Sequence, residues 1–319
     1  MRKLEKFDRR AFLMSAPLLP LAFGSVARGQ TPRAAVPQTV GGIHFGVETF
    51  SFHDIPQGNP KLLPDILSNM VAAGIPECEI MSGHIEPFPN ISTGWWVQTR
   101  RAADFPKMRE EARHWRLTVP MDYYVNIRRQ FEAAGLRIYY YNINFNETFT
   151  DAERDRSFEA AKALGAAAIS SSTVLSEAQR LVPFVEKHKF VVAMHNHNNL
   201  VDPDQFATPA SFEKALAMSP YFMCTLDAGH FTAGNNDAMA FLNKHHDRIT
   251  NIHLRDRKRN NGPNRPFGQG DTPIKEIILA VRDNKWPVRC YIEYEYGSFR
   301  SSEDEVKTCM EYCRNIALS

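Results

Sequence analysis

Apolar residues along this chain follow two alternating rhythms, short runs rich in β-branched and aromatic residues and longer stretches with apolar positions three and four apart. IHFGVETFSF reads as a first strand, residues 43–52, ending near His53 and Asp54. LLPDILSNMVAAG has helical spacing and closes on Gly74, and PECEIMSGH reads as a second strand with His84 and Glu86 just beyond it. Residues 90–105, with Trp95 and Trp96, read as an irregular loop over a site. A helical region over 106–134, interrupted near Pro120 and stopped by Gly135, leads into the strand LRIYYYNINFN, whose tyrosines suit a sugar platform or core packing.

The alternation then becomes regular. DAERDRSFEAAKALG is a helix, AAAISSST a strand, and SEAQRLVPFVEKHK a helix for which Ser176 is the expected N-cap. The strands VVAMHNHNN, YFMCTLDAGH, ITNIHLRDR and VRCYIEYEYG follow, separated by TPASFEKALAMS, DAMAFLNKHHDR and TPIKEIILAVRDN, and SSEDEVKTCMEYCRNIAL closes the chain. Eight strands alternating with eight helices over about 280 residues predict an α/β fold, a single (β/α)8 TIM barrel. An open doubly wound sheet would call for GxGxxG after the first strand, and none is there.

The amino terminus stands apart from this pattern. Arg2, Lys3 and Lys6 precede the pair Arg9–Arg10 in DRRAFL, and an uncharged stretch from Ala11 to Ala27 ends in small residues. Residues 1–30 therefore read as a twin-arginine-type export signal, 31–42 as a linker and 43–319 as the barrel. Export makes a periplasmic or secreted protein the expectation. The uncharged run contains two prolines and is short for a membrane span, so no stable membrane anchor is expected.

Removing residues 1–27 leaves 33 Lys and Arg against 34 Asp and Glu, so the basic balance belongs to the signal. A nearly neutral barrel does not suit a nucleic-acid partner, which would select a basic face. The five cysteines form no disulfide framework: Cys78, Cys224 and Cys290 sit in apolar strands and Cys309 and Cys313 four apart on a helix.

The strand ends carry the chemistry. His195 and His197 alternate onto one strand face, and later runs end in Asp227 and His230, His253 and Asp256, Glu293 and Glu295. Six of the eleven histidines, His53, His84, His195, His197, His230 and His253, fall at such ends, where barrel active sites lie. His195, Asp227, His253 and Glu293 come from four consecutive strands and form a mixed nitrogen and oxygen set suited to one divalent ion, Mn, Co, Zn or Fe. Two adjacent oxygens of a sugar on that ion would make a neighbouring C–H acidic.

LDAGH, IHLRDR followed by PFGQGD, and IEYE, in that order, resemble the sugar phosphate isomerase/epimerase family with the xylose-isomerase-like TIM barrel. The resemblance implies a divalent-metal-dependent isomerase or epimerase acting on a keto-sugar or related polyol through a metal-stabilised enediolate. It places Asp227, His253 and Glu293 at metal positions, His230 near the substrate, and Asp256 with Gly268 and Gly270 in a segment closing the site. Where the epimerases carry a glutamate on the fifth strand, this chain has His195, which favours one-sided proton transfer over two opposed glutamates. Glu293 with His197 or His230 is then the expected catalytic set, and His84, Arg255, Arg257, Asp256 and Glu295 the expected substrate contacts. A lyase or dehydratase expelling the β-substituent of a 3-keto-glycoside or keto-polyol is the close alternative, and a non-catalytic sugar-binding barrel the distant one. The partner expected is a small sugar, with homo-oligomerisation left open.

Overall fold

A computed structural model describes residues 36–56, 59–88 and 105–319; the residues read as an export signal, the first part of the expected linker, and Trp95 and Trp96 lie outside them. The chain forms a closed parallel barrel built from β1 (Phe45–Glu48), β2 (Glu77–Met81), β3 (Arg137–Asn142), β4 (Ala168–Ser171), β5 (Val191–His195), β6 (Phe222–Asp227), β7 (Ile249–Leu254) and β10 (Arg289–Ile292). Between them helices cover the outside, including Leu62–Ala73, Phe105–Thr118, Asp122–Ala133, Asp151–Ala163 and Ser302–Ala317. β1 pairs β10 and β2, so the first and last strands close the sheet. Among the described residues no helix is long and apolar enough to cross a membrane.

Sequence punctuation explains most boundaries. Gly74, Gly135 and Gly165 follow their helices with φ of 67°, 73° and 73°, a left-handed turn that glycine adopts without steric penalty. Thr150 and Glu153 form a reciprocal capping box at the start of Asp151–Ala163. Ser176 is not the expected cap. Its helix starts at Leu175, and Asp204 from a later loop satisfies the first turn, accepting from the Ser176 amide at 2.9 Å and its hydroxyl at 2.6 Å.

The strands are shorter than the apolar runs. β1 gives way at Thr49 to a single 3-10 turn, and β2 to a short helix, Ser82–Ile85, that takes in His84. ITNIHLRDR breaks at Arg255: β8 (Asp256–Arg257) leaves the barrel to pair antiparallel with β9 (Asn264–Arg265). This shortening leaves the polar residues of each run at the barrel mouth.

Two apolar cores result. The larger fills the layer between sheet and helices and includes the buried Cys78, Cys224, Cys290, Cys309 and Cys313, all free thiols. The smaller, inside the barrel, stacks Tyr140, Ala168 and Tyr291 beneath the mouth. Gly46 makes it possible, because a Cβ there would lie 2.4 Å from the Tyr291 ring. The tyrosines of β3 thus pack in the core, Tyr141 donating to Glu86 on the far side.

Candidate metal centre

His195 is the last residue of β5, Asp227 the last of β6, His253 the last but one of β7, and Glu293 the first after β10. Parallel register sets Asp227 beside His253 and His253 beside Tyr291, two residues short of Glu293. One ligand atom from each of the four residues lies within 4.8 Å of the others, and all four residues are buried. The facing atoms are His195 Nε2, Asp227 Oδ2, His253 Nδ1 and Glu293 Oε2, with His195 Nε2 3.7 Å from Asp227 and His253 Nδ1 3.0 Å from Glu293.

Local sequence explains the aim of each group. In HNH, Asn196 points away from the two imidazoles and bonds both main-chain atoms of Asp227, accepting its N–H at 2.9 Å and donating to its carbonyl at 3.0 Å. Asp227 then caps the helix Ala228–Ala233, Oδ1 accepting the His230 amide at 2.6 Å. That leaves Oδ2 buried without a hydrogen bond, an arrangement expensive for a carboxylate unless a cation completes it. Gly229 of LDAGH permits close packing, since a Cβ there would lie 2.9 Å from Cβ of Arg255.

His253 is oriented from behind by Glu79, whose Oε2 lies 2.9 Å from Nε2. Glu79 is held in turn by Asn142, Ser170 and Asn251 at 2.9, 2.6 and 3.0 Å. A carboxylate fixing the far nitrogen of a ligating histidine is the usual outer support of a metal site. Burial alone would depress the His253 pKa, but Glu79 and Glu293 outweigh it and hold the imidazole well above its ordinary value. Burial likewise opposes ionisation of Glu79, yet His253 and the donors Asn142 and Ser170 bring its pKa down to about 2. The sequence reading missed Glu79. The signal was available: PECEIM alternates two glutamates through an otherwise apolar strand, and both are buried, Glu77 pairing with Arg289.

Arg255 enters the cluster directly. It lies 3.4 Å from Asp227 Oδ2 and 3.0 Å from Glu295, and it binds Glu293 Oε1. Three carboxylates against one guanidinium leave a negative surplus that suits a divalent cation. Glu48, at the end of β1, adds another buried carboxyl that the sequence reading overlooked. Burial, then Glu79 and Glu293, push its pKa well up.

The other expected contacts divide. His197 and His230 flank His195, with ring centroids 5.1 and 6.2 Å away. His230 Nε2 lies 2.6 Å from Arg255, and its Nδ1 lies 2.8 Å from Asn198 and 2.7 Å from Arg257, so both nitrogens are engaged. Burial pushes its pKa well down, and the His197 pKa to about 3. Arg257 reaches Asn198 at 3.1 Å, and Glu295 borders the cluster through Arg255. His84 stays apart, bonded to Thr49 Oγ1 at 2.9 Å with its pKa lowered by burial to about 4. His53 stacks on Tyr294. Asp256 faces the loop, its oxygens accepting the amides of Gly268, Gly270 and Thr272 at 2.8, 2.9 and 3.2 Å. Gly270 has to be glycine here, because a Cβ would fall 1.8 Å from Asp256 Oδ1.

A family profile described as the xylose isomerase-like TIM barrel matches residues 104–316. The chain belongs to this family. Solved structures similar to this xylose isomerase-like barrel include 3-keto-D-glucoside 4-epimerase YcjR from E. coli, 11% identical with a TM-score of 0.56, covering 85% of this chain and 98% of that one. The probable 3-DHS dehydratase AsbF of petrobactin synthesis from Bacillus anthracis is 15% identical with a TM-score of 0.57, covering 84% and 97%. An IolI protein with a bound zinc atom is 13% identical with a TM-score of 0.59, covering 86% and 97%. At these identities the likeness is one of fold. No curated protein matches the sequence.

Proposed function

We propose that this protein is a divalent-metal-dependent enzyme that moves a proton on a keto-sugar or related polyol. The observation carrying this reading is the convergence of His195, Asp227, His253 and Glu293 at the barrel mouth, with an unbonded Asp227 oxygen at its centre. A bound divalent ion would polarise a substrate carbonyl and acidify the adjoining C–H. The chain's own residues supply the rest. Glu79 keeps Nδ1 of His253 turned to the cluster, Arg255 holds Glu293, and the inner tyrosines close the barrel below. Glu293 has both oxygens engaged by Arg255 and His253, whereas Glu295 meets Arg255 through Oε1 and only a long 3.4 Å contact from Asn264 through Oε2, and burial raises its pKa, so Glu295 is the proton acceptor. His197, neutral and at the mouth, is its partner as proton donor.

Relatives that epimerise a keto-glucoside and dehydrate an acid support proton abstraction beside a carbonyl as the shared step. His195 in place of a fifth-strand carboxylate favours chemistry from one face, so isomerisation and β-elimination both remain compatible. Incubating metal-loaded protein with free ketoses and 3-keto-glycosides in D2O separates them: deuterium uptake with isomer formation marks the isomerase, and aglycone release the lyase. Inert behaviour toward both, with metal bound, overturns the reading and leaves a sugar-binding barrel. Glu295→Gln should remove turnover while retaining metal, and Glu293→Gln should lose both. Residues 1–30 serve export in this reading; fusing them to a reporter and finding it only in the cytoplasm would refute that.

A further inference from the structure

Beside the metal cluster, a second cavity of about 520 Å³ opens on the far side of His197. Its wall comes from three loops: residues 198–201 after β5, the turn at Asn235, and Asn260 and Asn261 between β8 and β9. Five asparagines face it, and among the described residues no carboxylate, lysine or arginine lines it. Such a lining is unusual at the rim of a site otherwise built from ions.

The amides are partly committed in a way that leaves one end open. Asn199 Oδ1 accepts the Val201 amide at 3.2 Å, and Asn235 Oδ1 accepts the Asn260 amide at 3.0 Å. Asn261 Oδ1 accepts from Asn198. The NH2 groups of Asn199, Asn235 and Asn261 then have no protein acceptor among the described residues. A row of oriented amide donors matches hydroxyl groups, which accept and donate in turn. Leu200 and Val201, 52% and 94% exposed, add an apolar wall of the kind that takes the C–H face of a sugar ring. An anion finds little here. Arg257, which reaches Asn198, spends its donors on the Gly262 carbonyl, Asn198 and His230.

We propose that this cavity is a subsite for a neutral, polyhydroxylated group attached to the reacting sugar. The substrate class is then a glycoside carrying a second sugar or polyol, not a free or phosphorylated monosaccharide. The inference rests on the keto-sugar reading for the adjoining cluster, and places the bond between the two units at His197, whose ring is 5.1 Å from that of His195.

The test is calorimetric binding to metal-loaded protein, with glucose, glucose 6-phosphate and a panel of neutral glucose disaccharides of differing linkage as probes. At least one disaccharide should bind about tenfold tighter than glucose, in line with a few added hydrogen bonds. Asn199→Ala and Leu200→Ala, both exposed positions, should each remove most of that difference while leaving glucose affinity and thermal stability unchanged. Equal binding of glucose and every disaccharide, tighter binding of glucose 6-phosphate, or a preference untouched by both substitutions would overturn the subsite. The outcome is separable from that of the reaction: turnover of free ketoses without disaccharide preference removes only the subsite, and Asn199-dependent disaccharide binding without any turnover removes only the chemistry.

Discussion

Two buried charge clusters in this barrel are built from the same residue types to opposite ends. Between the helices Phe105–Thr118 and Asp151–Ala163, Arg109, Arg113 and Arg116 surround Glu153 and Glu86. Arg116 pairs with Glu86 at 2.7 Å, Arg109 with Glu153 at 2.7 Å, and both guanidiniums lie over the Phe149 ring. At the barrel mouth Asp227, Glu293 and Glu295 share a single guanidinium, Arg255, with His253 beside Glu293. The outer cluster has cations enough to match its carboxylates and therefore serves packing. The inner one is incomplete by charge, which is what a cation site requires of the protein before the cation arrives.

The comparison breaks most sharply at Asp227. Asp227→Ala, or chelation of the intact protein, should abolish activity by on the order of 10³-fold, several kcal/mol of lost charge stabilisation, with metal content measured by elemental analysis. Full activity in metal-stripped protein would end the metal reading. Arg116→Met should do the converse, lowering unfolding free energy by about 3–5 kcal/mol in urea while metal content stays unchanged, because it strands buried carboxylates. If it instead removed metal, the two clusters would not be independent.

Smaller effects sharpen the contrast. Glu79→Gln should weaken metal binding about 10- to 100-fold without unfolding the barrel, read by competition with a chromophoric chelator. Acid should act through the same residue. The Glu79 pKa falls from 4.5 to about 2 on folding, so its contribution to stability is present above pH 4.5 and is lost as pH drops toward 2. Metal-free wild type should therefore lose stability over that window, and Glu79→Gln should lose less. The mildest change is Asp256→Asn, which should loosen the 266–272 loop and cost about 1–3 kcal/mol with metal affinity intact.

How much of this was legible follows from range. Alternation of strand and helix is a local pattern, so the barrel could be read directly, and glycine stops at 74, 135 and 165 marked helix ends. Ser176 misled because the competing cap, Asp204, is 28 residues away. VVAMHNHNN, LDAGH, IHLRDR and IEYE led to the four clustered residues, since polar groups at the ends of buried strands have few other reasons to be there. Glu79 and Glu48 escaped notice because a charge inside an apolar run has no meaning until its partners are known, and those partners lie on other strands. Asp256 was read toward the site, yet three backbone amides of a distant loop claim it.

The sequence by itself determined the barrel, the strand ends on which chemistry would sit, and the residue types available there, because periodicity and punctuation act over a few residues. Only the tertiary structure decided which carboxylates face one another, that Arg255 holds Glu293, that Glu79 stands behind His253, and that five asparagines from three loops share one cavity. Those facts depend on the register and closure of strands far apart in the chain, where a separation of a few ångströms turns a polar residue into a ligand, a support or a bystander.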